Sequence, residues 1–193
     1  MKALLLAAGL LCLCLPIGHA QTPTPAAQAA FESRLAKVKA LREAGRIPEA
    51  VAEFAKIGVH LAPDGIQEMY YDYAMNQENA GHHNRAVSAL RGGIRAAPYR
   101  ALSGMMHYQL AALFYNGNRY ALAAPEFQAA TRFPDEDTAW TWLLLGDCLH
   151  KSGQRAEARH AWQRAATARD LAGTDSPQAA RARLAHDAKE RSH

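Results

Sequence analysis

Cysteine is scarce: the 193-residue chain has three, and two of them, Cys12 and Cys14, fall in an apolar leader. With the leader removed only Cys148 remains, so no intramolecular disulfide can form and stability has to come from packing. Cys148 lies at helical spacing between Leu145 and Leu149, which reads as a buried, inert thiol. Long runs of one charge are also missing. The formal charge of +4 comes from scattered Lys and Arg, a balance that implies neither nucleic acid nor an anionic membrane as partner. Motifs that carry chemistry are missing as well: there is no G-x-S-x-G elbow, no phosphate-cradling glycine loop, no H-E-x-x-H and no C-x-x-C. Ser103 and His107 lie one helical turn apart, but no orienting acid or oxyanion donor accompanies them. His82 and His83 are neighbours that point apart, which suits a solvated turn better than a metal site. The composition therefore points to a non-catalytic protein with no metal and no cofactor.

What is present begins with an export signal. Met1-Lys2 gives a positive end, Ala3 to Leu15 is apolar, and Gly18-His19-Ala20 places small residues where signal peptidases cut. The apolar run is shorter than the ~20 residues a spanning helix needs. Residues 1–20 are thus expected to be a signal peptide cleaved after Ala20, leaving a periplasmic or secreted protein with no stable membrane insertion. Leu11 and Leu13 are bulky where a lipoprotein signal wants a small residue before its cysteine, so lipidation is not expected. Residues 21–30, rich in Thr, Pro and Ala, suit a disordered extended linker.

Beyond the linker the chain repeats itself. Gly45, Gly81, Asn118 and Gly153 recur at intervals of 36, 37 and 35 residues. Ala50, Ala86, Ala123 and Ala158 follow them by five, and Phe54, Leu90, Phe127 and Trp162 by nine. Two antiparallel helices approach closely where a small side chain faces the partner, and a large one beside it fills the groove. Gly and Asn tolerate the left-handed backbone of a tight interhelical turn.

With Trp142, Leu145, Gly146, Leu149 and Ala165 added to these positions, the chain resembles the tetratricopeptide repeat family over residues 31–172. The resemblance implies an all-α fold, an α-solenoid of about four helix–turn–helix repeats. Residues 173–193 would then form a C-terminal capping helix and tail, with Ser176 as its N-cap and Pro177 in its first turn. Pro177, Ala180, Leu184 and Ala188 share one face of that helix, with Arg181, Arg183, Asp187 and Lys189 in water; a frayed charged tail is the other reading. Pro125 falls inside the expected second helix of repeat three, which predicts a late start or a bend there. His107 stands where that repeat would carry an aromatic.

In this family the first helices of the repeats line a concave groove through their second, fifth, ninth, twelfth and thirteenth positions. Carried over by register, these are Leu35, Lys39 and Arg42; Tyr71, Met75, Glu78 and Asn79; Met105, Tyr108, Tyr115 and Asn116; and Trp140, Leu143, Asp147 and His150. The partner-binding groove is expected to centre on Tyr71, Met75, Asn79, Met105, Tyr108, Tyr115, Asn116, Trp140 and Leu143. The Lys and Asn clamp that some relatives use for a terminal carboxylate is replaced by Tyr71 and Met75 and by Tyr108 and Ala112. Tyr and Met adapt to an apolar or amphipathic protein or peptide segment. The same rings, beside Asn79 and Asn116, would also suit a polysaccharide, and packing between repeats is a third use for each tyrosine. The resemblance implies a scaffold or adaptor in the bacterial cell envelope, serving an assembly or secretion complex, with an exopolysaccharide-secretion accessory as the alternative.

Overall fold

The computed structural model describes residues 24–59, 61–168 and 175–192; the expected signal peptide and its cleavage site lie outside them. Among the described residues there are nine helices and no strand. They are α1 (Pro25–Glu43), α2 (Ile47–Lys56), α3 (Pro63–Asn79), α4 (His83–Ala96), α5 (Ala101–Asn116), α6 (Tyr120–Ala130), α7 (Ala139–Lys151), α8 (Arg155–Thr167) and α9 (Ser176–Glu190).

The four repeated turns share one hydrogen-bond pattern. Gly45, Gly81, Asn118 and Gly153 have φ of 73°, 76°, 56° and 81°, the left-handed region that ends a helix. The next residue then donates its N–H back into the preceding helix: Arg46 to the Leu41 carbonyl at 2.8 Å, His82 to Gln77 at 2.8 Å, Arg119 to Phe114 at 2.8 Å and Gln154 to Leu149 at 2.9 Å. Its own carbonyl accepts from the repeated alanine, as in Arg46 with Ala50 at 3.0 Å and Gln154 with Ala158 at 3.0 Å. A single residue therefore closes one helix and opens the next, which fixes the alanine one turn into the second helix. Ala50, Ala86, Ala123 and Ala158 are all fully buried at the crossing. Phe127 and Leu90 are also fully buried and Trp162 nearly so, whereas Phe54 at the exposed end is only partly covered. Burying one such ring contributes ~1.5–3 kcal/mol.

Stacking follows from these pairs. Each first helix packs on its own second helix, and α5, α7 and α9 also pack on the second helix of the pair before. One core runs through repeats two to four, with smaller clusters around Val38, Leu41 and Ile47 at one end and around Leu143, Trp162 and Ala180 at the other. Between repeats two and three, the buried Gln67 amide donates to the Gly93 and Ala97 carbonyls at 3.1 and 2.9 Å and to Ser103 Oγ at 2.7 Å.

Four local expectations are corrected. Helix α1 reaches back to Pro25, so residues 25–30 are helical instead of an extended linker. Thr24 caps it by accepting from the Ala27 N–H at 3.3 Å, and Pro25 sits in the first turn, where its fixed φ suits a helix. Helix α6 starts at Tyr120, the same two residues after its turn as in the other repeats, and runs through Pro125. The proline removes the donor for the Ala121 carbonyl, but both residues are exposed, so that carbonyl is open to solvent and not buried without a partner. In the terminal helix Asp175 holds the N-cap position instead of Ser176. There Asp187 is buried and Ala188 exposed, because Asp187 sits against two guanidiniums, Arg159 at 3.5 Å and Arg191 at 3.1 Å. The terminal helix does cover the last repeat, through Ala180 and Leu184.

Candidate functional site: a groove on the first helices

Helices α1, α3, α5 and α7 are the first members of the four pairs. The residues they place at one end of the shared face form a connected cluster. Trp140, at the start of α7, donates its Nε1–H to the Tyr108 hydroxyl of α5 at 2.9 Å. The Tyr108 ring meets Phe127 edge-on, at 5.7 Å and 68°, so core packing holds it in place. The Tyr71 hydroxyl of α3 lies against Gln109 of α5, which ties repeat two to repeat three. Met105 and Trp140 remain 40% and 41% exposed; on a face otherwise this well packed, they are what a partner can still cover.

The electrostatics of this end are those of half-buried polar groups. Burial raises the Tyr108 hydroxyl above its ordinary value, with Glu136 adding to the shift and the Trp140 N–H opposing it. Tyr71 is raised by burial first and then by Glu136, Glu78 and Asp72, while Gln109 opposes. Glu136 is itself raised, by burial and by Asp135. Both tyrosines therefore stay neutral donors at physiological pH.

The other end of the face is built differently. Tyr115 packs edge-on against Tyr120 at 5.5 Å and Phe127 at 6.4 Å, and Lys151 Nζ lies 4.8 Å from the Tyr120 ring centroid. Asp147, a groove position of the fourth repeat, is taken up by Trp162 Nε1 at 3.0 Å and Arg183 of α9 at 3.1 Å. The terminal helix thus closes that part of the groove.

The structure joins Tyr108 to Trp140, sets Tyr71 against Gln109 of the neighbouring helix, and leaves Met105 exposed on the same helix as Tyr108. Met75 and Tyr115 are half-buried against the core. Asn79 and Asn116 are exposed at the last residues of α3 and α5, about 12 Å along the helix from Tyr71 and Tyr108 at 1.5 Å per residue. Leu143 is corrected: at 4% exposure it belongs to the core with Ala158 and Trp162. Positions carried over from first helices cannot reveal loop residues, so sequence reasoning missed Glu136, in the connection before α7. Gln109, beside a groove position, was missed for the same reason of register.

The one nucleophile pair considered from sequence is taken apart. Ser103 is fully buried and donates to the Ala97 carbonyl at 2.6 Å, while His107 pairs with Glu126 at 2.7 Å. Cys148 is buried, and burial with Asp147 pushes its thiol up to about 12. Among the described residues no cluster of His, Cys, Asp and Glu could hold a metal ion, and no helix is long and apolar enough to cross a membrane.

Paired helices, common turns and a face of first helices define a tetratricopeptide-type α-solenoid, and the solved structure described next shares that fold. The N-terminal domain of stress-induced protein-1 (STI-1) from C. elegans is 12% identical with a TM-score of 0.53, over 63% of this chain and 96% of that one. MamA from Desulfovibrio magneticus RS-1, residues 41 to the end, is 22% identical with a TM-score of 0.45, over 69% and 72%. A further MamA structure is 17% identical with a TM-score of 0.47, over 74% and 81%. No protein-family model and no curated protein matches the chain.

Proposed function

We propose that this protein is a non-catalytic adaptor of the bacterial cell envelope, whose groove holds a segment of a protein partner within an assembly or secretion complex. The observation that carries the proposal is the cluster of Tyr71, Met105, Tyr108 and Trp140: large, adaptable side chains left partly open on the face of the first helices, with Tyr108 held rigid by Trp140 and Phe127. Rigid aromatic groups at a rim suit an anchor residue, because little conformational entropy is lost on binding. The apolar leader over residues 1–20 supports a periplasmic or secreted location, and N-terminal sequencing of the mature protein tests it, with Gln21 expected first.

The partner reading is tested by capture from envelope extract beside a glycan array. Trp140→Ala removes a side chain that is 41% exposed and is expected to weaken capture by ~1–3 kcal/mol with little change in the melting temperature. Tyr108→Ala also loses its contact with Phe127, so it lowers both. Capture that survives both changes places the partner on another face, and binding to glycans alone replaces the protein partner with a polysaccharide.

A further inference from the structure

Charge at the Tyr71–Tyr108 end of the groove is one-sided. Glu136 stands in the connection that leads into α7, four residues before Trp140, whose indole is bonded to Tyr108; in keeping with that place, Glu136 acts on both the Tyr71 and Tyr108 hydroxyls, and Glu78 and Asp72 act on Tyr71. Asp72 has a cation, Arg42 at 3.5 Å. Among the described residues no Lys, Arg or His pairs with Glu136 or Glu78, and the one charged group that acts on Glu136 is another acid, Asp135. Glu136 is also partly covered, so water solvates it incompletely. A half-covered carboxylate without a counter-ion is costly, and a cation brought by a ligand recovers that energy. The rings nearby strengthen the preference: Tyr and Trp attract a cation through their π faces, whereas an acidic ligand would meet Glu136, Glu78 and Asp135 as like charges.

We propose that the partner segment carries a lysine or arginine whose head group binds at Glu136 beside Tyr108 and Trp140, flanked by apolar residues that cover Met105. This rests on the groove being the docking face and adds the chemistry of its anchor. The first repeat does not compete for the same acid, since its groove positions Lys39 and Arg42 already have Glu43 at 3.9 Å and Asp72 at 3.5 Å.

The test is selection of a phage-displayed random dodecapeptide library on the full chain, in wild-type, Glu136→Gln and Tyr108→Ala forms. Peptides enriched on the wild type are expected to share one Lys or Arg next to apolar residues. In synthetic versions, changing that residue to Gln should weaken binding about tenfold on the wild type and less than about twofold on Glu136→Gln, the behaviour of a specific charge pair. Affinity of the basic peptide should also fall more steeply with salt than that of its Gln version. Enriched peptides that lack a basic residue yet are lost on Tyr108→Ala overturn the cation and leave the groove. A Lys-to-Gln ratio unchanged by Glu136→Gln also overturns it. Peptides indifferent to Tyr108→Ala, or no enrichment at all, overturn both. Glu136→Gln should unfold at the wild-type temperature or slightly above, which separates lost binding from lost fold.

Discussion

Gly146 and Gly65 are both helical glycines, yet replacing each with alanine should change stability in opposite directions. Alanine is favoured over glycine inside a helix by up to ~1 kcal/mol. At Gly65 a new Cβ meets only Leu61 Cδ2, at 3.8 Å, which is ordinary contact. Gly65→Ala should therefore stabilise by up to ~1 kcal/mol. At Gly146 the same Cβ would lie 2.4 Å from Trp162 Cδ1 and 2.5 Å from Nε1. The indole has to retreat by about 1 Å to reach a normal separation, but it is 2% exposed and close to His150, with ring centroids 5.4 Å apart. Its retreat also stretches the 3.0 Å bond from Nε1 to Asp147. Overpacking of a core costs ~1–3 kcal/mol and a loosened hydrogen bond ~1 kcal/mol, so the net expectation is a loss of ~1–3 kcal/mol. For a chain of this size that is a fall of ~3–10 °C in melting temperature, against a rise of a few degrees for Gly65→Ala. Thermal unfolding followed by circular dichroism at 222 nm reads both. A Gly146→Ala variant as stable as the wild type would refute the close approach of α7 and α8 at this residue.

Three further outcomes follow from packing and charge. Ala158→Leu should destabilise by ~1–3 kcal/mol through overpacking at a fully buried crossing, read by urea unfolding; an unchanged midpoint would place the crossing elsewhere. Lys37 at 2.8 Å and Lys56 at 2.7 Å hold the Glu53 carboxyl down to about 2. A depressed carboxyl contributes stability above its unfolded value that is lost as pH falls through the folded one, so Glu53→Gln should be less stable than wild type near neutrality, with the difference shrinking through the acid range and vanishing only below about pH 2. That difference should be small, because exposed lysine side chains, not the protein interior, cover the carboxylate and water screens the pair. Cys148, pushed up to about 12 by burial and Asp147, should react with a thiol reagent at pH 8 only in denaturant; rapid labelling of the native protein would show that α7 opens locally.

The order and identity of the helices were legible in the sequence because the features that define them are local. A left-handed turn residue, an alanine five residues on and a large residue nine residues on report a pair of helices within one stretch of chain, and Gly45, Gly81, Asn118 and Gly153 all adopt the expected backbone. Local signals misled where burial decides the outcome. Pro125 breaks a ladder bond, but its exposure on α6 lets the helix continue. Asp187 looks like a solvated charge until Arg159 and Arg191 close on it, and Leu143 turns to the core although its repeat position belongs to the groove. The binding end of the groove was legible only in part: Tyr71 and Tyr108 share one repeat position and Met105 and Trp140 another, whereas Glu136 comes from a loop and Gln109 from the helix flank. Sequence fixes what each helix can pair with over a few turns, since side-chain period and turn chemistry act at short range. Which acid lies beside which ring across three repeats depends on how helices stack, and that is settled by packing between residues distant in the chain.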